Sequence, residues 1–214
     1  MKRFLTFVTA AILCLQAFGW GGVGHRVIVE IAQRNLTEKA KENISKYMDY
    51  DLKKEAVWMD VHRHDKPIAY TTSWHVYNVD EKSLYDPNPR LYKGDCVHAL
   101  KVADYNLRKY EQLTDSAVVF NLRMLLHFVG DLHCPTHYIY PEALAQRKIH
   151  YFYNGKKYNY VSYWEHNSVA GTFNWKSNEF VHQLNRKSPE QIAAITKGSI
   201  TNWVTKNAAE YRNI

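Results

Sequence analysis

Ser116-Ala-Val-Val-Phe-Asn-Leu-Arg-Met-Leu-Leu-His127-Phe-Val-Gly-Asp131 is the stretch from which the fold is read. Val119, Leu122, Leu126 and Val129 recur along it at helical spacing, which predicts a strong amphipathic α-helix over 116–131. Pro135 then limits how far that helix can run, because proline offers no amide proton to the next turn.

The same stretch carries the chemistry. His127 and Asp131 stand four residues apart and share a helix face, while the turn at Pro135 can return His137 toward them. Imidazole nitrogen and carboxylate oxygen together suit zinc. A helical His–Asp pair can equally be an internal hydrogen bond, so this motif alone leaves both readings open. Separated segments add donors of the same type: Trp20 and His25 in Trp20-Gly-Gly-Val-Gly-His25, Asp60 in Trp58-Met-Asp60, and His75 in Trp74-His75-Val-Tyr-Asn78. With 11 histidines in 214 residues, this set favours a metal centre.

Trp20 matters because of what precedes it. Met1-Lys-Arg is a charged start, Phe4 to Leu15 is apolar, and Ala17-Phe-Gly19 has small residues where a signal peptidase inspects the chain, so 1–19 reads as a signal peptide cleaved between Gly19 and Trp20. Cleavage would export the protein, to a periplasm or the medium, and free the Trp20 amine to chelate a metal together with its own carbonyl oxygen. No later segment has the roughly 20 apolar residues that span a bilayer, so stable membrane insertion is not expected. Residues 20–214 suit one domain. The net charge of +7 includes Lys2 and Arg3, leaving +5 after cleavage, which fits an anionic substrate without selecting one. Cys96 and Cys134 remain; export permits them to pair, but sequence does not place them within bonding reach.

Elsewhere, periodicity predicts helices over 23–36, 37–47, 53–64 and 96–113 and a final one from Ser188-Pro189 to about Tyr211. Between Ile149 and Tyr163, aromatic and β-favouring residues surround Asn154-Gly155, the commonest two-residue hairpin signal. The expected fold is mostly α: a compact multi-helix domain with one small β-hairpin near 149–163.

Trp-x4-His at 20–25 together with His-x3-Asp-x5-His at 127–137 resembles the zinc-dependent, single-strand-specific nucleases, the family of fungal secreted and plant type I bifunctional nucleases. That family shares its helical fold with bacterial zinc phospholipase C, and the resemblance covers the whole of 20–214. It implies one zinc held by Asp60, His75, His127 and Asp131, and a second held by the Trp20 amino and carbonyl groups, His25 and Asp131, with Asp131 bridging. Such a pair activates a shared water. The resemblance further implies catalytic roles for Asp60 and Asp131, RNA and single-stranded DNA as substrates, and action as a monomer. Arg63, one turn beyond Asp60, and Asn78 are the expected substrate contacts.

A third family zinc is where the chain departs. His137 matches its first ligand and Glu165 stands where aspartate is usual, a change the related phospholipases share, but Val161 replaces a histidine. An isopropyl group offers no lone pair, and His133, Cys134, His150 and His166 are the residues that could substitute. Two bridged ions are therefore expected, with the third site incomplete. Three further readings compete: a phospholipase, which the short Trp-to-His spacing opposes; a catalytically impaired zinc-binding relative, which Val161 favours; and a purely structural helical domain, which leaves the donors as coincidence.

Overall fold

The computed structural model describes residues 20–87, 93–140, 149–167 and 175–211, apart from the side chains of 166 and 167. The predicted signal peptide, 1–19, lies outside the described residues. Within them the chain is mostly helical, with two small sheets.

Helix α1 (Gly21–Arg34) is followed by α2 (Glu38–Ile44), capped by the Thr37 hydroxyl, which accepts from Ala40 N. The helix expected over 53–64 is instead a 3-10 turn at Leu52–Lys54, a reverse turn, and a short α3 (Trp58–His62). The break lets Leu52 and Ala56 pack on Val29 of α1. It also leaves the Ala56 carbonyl, just before the first turn of α3, to accept from His127 Nδ1 at 2.9 Å. A 3-10 segment, Ala69–His75, leads into β1 (Tyr77–Asn78).

Helix α4 (Cys96–Leu107) stops earlier than expected and resumes as a 3-10 turn at Tyr110–Gln112. Helix α5 (Asp115–Leu132) is the predicted central helix, begun one residue earlier because Thr114 caps it, its hydroxyl accepting from Ala117 N. The largest core cluster gathers around α4 and α5, with Leu100, Met124, Phe128 and Leu132 buried against Met59 and Tyr77. Strand β2 (Tyr138–Ile139) pairs in parallel with β1, in the register Tyr77↔Tyr138 and Asn78↔Ile139. Two residues per strand are too few for sequence alternation to reveal, and this sheet was not expected.

The end of α5 is held from three directions. The Leu132 carbonyl accepts from Tyr77 Oη at 2.9 Å and Asn207 Nδ2 at 3.0 Å, and the His133 carbonyl from Tyr211 Oη at 2.5 Å. Terminal helix carbonyls lack intrahelical partners, and leaving them unsatisfied when buried is costly. Here they anchor the Pro135 turn.

Strands β3 (His150–Tyr153) and β4 (Lys156–Asn159) form the expected antiparallel hairpin. Asn154 and Gly155 both have positive φ, 49° and 72°, as a two-residue hairpin turn requires. The pairing ends at Asn159, short of the expected Tyr163, because the Asn159 side chain accepts from Ser162 N at 2.7 Å and turns the chain into helical turns over Tyr160–Ser162 and Tyr163–Asn167.

Helix α6 (Ser177–Leu184) went unread in the sequence. It buries Phe180 and Val181 against Val27 of α1. The single final helix expected from Ser188 is two, α7 (Pro189–Thr196) and α8 (Ile200–Tyr211), interrupted at Gly198, whose φ of 110° suits glycine. Cys96 and Cys134 are both buried and both free, so the permitted bridge is absent. The Cys96 thiol donates to the Phe128 carbonyl at 3.2 Å, and Cys134 Sγ lies 3.3 Å from Thr136 Oγ1. Among the described residues no helix is long and apolar enough to cross a membrane.

Candidate metal centre

The centre is built around one buried carboxylate. Asp131 Oδ2 lies 2.9 Å from His75 Nδ1 and 3.2 Å from His127 Nε2, while Oδ1 lies 3.4 Å from His25 Nε2 and 3.3 Å from His137 Nδ1. Asp60 Oδ1 stands 3.5 Å from both His75 Nδ1 and His127 Nε2. Helices α1, α3 and α5 and the 3-10 segment before β1 thus each deliver at least one donor to the same point. Two groups of three donors are close enough to hold a metal ion: His25, His127 and Asp131, and Asp60, His75 and His127.

These donors are left incomplete by the protein. His25 Nδ1 and Nε2, both Asp60 oxygens, His75 Nε2 and Asp131 Oδ1 are buried with no hydrogen-bond partner. Each such atom costs about 1–3 kcal/mol in an ordinary interior, and native proteins rarely accumulate several in one place. A cation at this point would take up one nitrogen of each ring and the carboxylate oxygens beside it, and an all-nitrogen-and-carboxylate set fits zinc.

The electrostatics prepare the set for a cation. Burial, reinforced by the neighbouring His127, lowers the pKa of His25, and burial likewise lowers that of His75 despite the adjacent Asp131, so both rings favour the neutral, ligating form. Burial also opposes charge on His127, yet the carboxylates of Asp131 and Asp60 together hold its pKa well above the usual imidazole value. For Asp131, burial is outweighed by His127 and His137, which keep the carboxyl well below its usual range.

Second contacts orient the rings. His127 Nδ1 donates to the Ala56 carbonyl, leaving Nε2 for the centre. The rings of His25 and His127 stack at 4.1 Å. Two glycines make the close approach possible, and sequence reading passed over both. A Cβ on Gly130 would stand 2.8 Å from His25 Nδ1, and one on Gly24 would stand 2.7 Å from Trp20 Cβ. Glycine inside a strongly periodic helix costs about 1 kcal/mol, and Gly130 in the last turn of α5 was the available signal.

Trp20 heads α1 in a left-handed conformation, with φ of 32°, packed over Gly24. Arg63 sits at the end of α3 with Nε toward His64 Nε2 at 3.2 Å, and Asn78 lies on β1, where its carbonyl accepts from Asp86 N.

The neighbouring wall is poorer. His137 Nδ1 donates to the His75 carbonyl at 2.6 Å, and Nε2 faces Glu165 Oε1 at 3.6 Å. Val161, one helical turn before Glu165, brings no donor. Two of the four candidate substitutes are occupied elsewhere and a third is exposed. His133 Nδ1 donates to the Val129 carbonyl at 2.8 Å and its ring tilts against Trp203, Cys134 is held by Thr136, with burial pushing its thiol up to about 12, and His150 is exposed on β3. The fourth, His166, has its side chain outside the described residues. No third donor joins His137 and Glu165 among the described residues.

Comparison with known proteins identifies the family. The S1/P1 Nuclease model matches residues 20–214, the whole stretch after the predicted leader. The chain belongs to the S1/P1 nuclease family. It is 29% identical to Endonuclease 2 of Arabidopsis thaliana over 166 residues, 71% of this chain and 56% of that protein. It is 23% identical to Nuclease S1 of Aspergillus oryzae (strain ATCC 42149 / RIB 40) over 176 residues, 78% of this chain and 61% of that protein. The matched stretch thus spans less than two thirds of either relative.

Proposed function

We propose that this chain is an exported, monomeric, zinc-dependent phosphodiesterase that hydrolyses RNA and single-stranded DNA, matured by cleavage between Gly19 and Trp20. The observation that carries the reading is the convergence of His25, Asp60, His75 and His127 on Asp131 with six buried donor atoms left without hydrogen bonds. In this reading Asp60, His75, His127 and Asp131 hold one zinc, and the Trp20 amino and carbonyl groups, His25 and Asp131 hold a second. His137 and Glu165, lacking a third donor, hold none. When bound, such a pair lowers the pKa of water and offsets charge on a phosphate.

The protein's own groups supply the order. Asp131 fixes the spacing of both sets through its two oxygens. Asp60, rigid at the buried side of α3, orients the attacking water, and Arg63 and Asn78 approach the phosphate from the rim. Residues behind the donors, Ala56 and Phe128 among them, exclude solvent.

Leader-processed protein is incubated with single-stranded DNA and RNA in zinc, beside a chelated sample and an Asp131→Asn variant. Cleavage lost in both controls supports the reading. Absence of cleavage in the parent, with zinc bound, favours the second reading, a catalytically impaired zinc-binding relative, for which the gap at Val161 is the specific observation.

A further inference from the structure

We propose that the solvent-facing side of the β3–β4 hairpin is a docking platform for single-stranded nucleic acid, on which an unpaired base stacks against Phe152 while Lys157 meets a phosphate beside it. The inference rests on the nuclease reading and deepens it by assigning where the strand binds away from the metal centre.

Strand alternation separates the hairpin into two unlike faces. The register pairs Tyr151 with Tyr158 and Tyr153 with Lys156, and pairs His150 with Asn159 and Phe152 with Lys157. On the first face, Tyr151 stacks on Tyr163 at 5.4 Å and Tyr153 meets Tyr163 edge-on at 5.9 Å, which seats the hairpin on the helical turn that follows it. On the second face, His150, Phe152, Lys157 and Asn159 are all exposed. Phe152 is 77% exposed, more than any other exposed large hydrophobic side chain described. A phenyl ring held in water on a braced strand gains nothing for the fold.

The occupant follows from chemistry on that face. An aromatic ring accepts a base of any identity, and the cation paired across the strand from it stands beside the ring, where a backbone phosphate would lie. From 149 to 159 the sequence carries two lysines and no carboxylate, so the hairpin attracts a polyanion along its length. The platform is also mechanically joined to the centre. Strand β4 runs directly into the turns that carry Glu165, 3.6 Å from His137, whose Nδ1 is in turn bonded to the His75 carbonyl.

The test uses zinc-loaded, leader-processed protein and compares KM for an oligothymidylate of about 12 nucleotides with KM for a thymidine dinucleotide. Phe152→Ala is expected to shrink the longer substrate's KM advantage about tenfold, the effect of one lost base–aromatic stack, with kcat for the oligonucleotide moved far less. Phe152→Trp is expected to restore the advantage and to add tryptophan quenching on oligonucleotide binding. Lys157→Ala is expected to reduce the salt slope of binding by about one. An unchanged KM ratio in Phe152→Ala overturns the platform, as does an equal rise for both substrates. A change in self-association by sedimentation with an unchanged ratio also overturns it and assigns the face to a protein partner. If the parent cleaves neither substrate in zinc, the nuclease reading itself has failed, which the same assay shows separately.

Discussion

Asp131 and His137 lie six residues apart around one proline turn, yet they face walls of very different quality. Around Asp131, donors arrive from α1, α3, the 3-10 segment and α5, and two sets of three lie within reach of one ion each. Around His137, beyond Asp131 itself, the carboxylate that faces the ring is Glu165, and the position one turn before it is Val161. The difference lies in how donors are supplied. The rich wall draws on elements locked into the main core, whereas the poor wall depends on a short turn leaving a hairpin. In that turn, Val161 offers no lone pair one helical turn before Glu165.

The largest effect is expected at the shared carboxylate. Asp131→Asn should lower activity by at least about a thousandfold and remove both ions together, measured by elemental analysis. Retention of the parent's zinc content would break the bridging assignment and with it the account of the rich wall. Gly130→Ala should displace His25 alone, since the new methyl meets that ring at 2.8 Å. About one zinc should be lost and activity should fall roughly 10–100-fold, the range for a disturbed ligand shell; a full complement of zinc would show that His25 is not needed.

Protons sharpen the same contrast. His127 has its pKa raised in the metal-free protein, so it stays protonated through the ordinary imidazole range, and a metal must displace that proton. Zinc affinity should therefore fall as pH drops, by about tenfold per unit, and the fall should begin above the usual imidazole value. His25 and His75, with lowered values, add no such competition there. A titration calorimetry series showing flat affinity between pH 6 and about 8 would contradict it.

Val161→His should give the poor wall its third donor, and native mass spectrometry should find one zinc more than in the parent. No added ion would mean that the wall is limited by geometry rather than by that side chain. Smallest of all, Tyr211→Phe should cost about 1 kcal/mol by thermal unfolding, because the His133 carbonyl loses its donor. Zinc content should hold, since the loosened turn carries His137 and not the bridged pair.

Much of this was legible because periodicity and four-residue spacing survive folding. The central helix, the hairpin at Asn154-Gly155 and the donor set can all be read from residues. Two kinds of feature were not. Breaks such as the one at Ala56 arise because a distant ring, His127, claims a backbone carbonyl, a tertiary demand that leaves no local pattern. The β1–β2 pair, two residues each, and α6, eight residues, are too short for a period to show.

The clasp on the end of α5 also sets how a truncation would act. Asn207 and Tyr211, which hold the Leu132 and His133 carbonyls, lie 75 and 78 residues further along the chain. Removing the segment that carries both would leave Tyr77 as the one member of the clasp still in place. A distant stretch of sequence is thus part of the scaffold on which the poor wall stands.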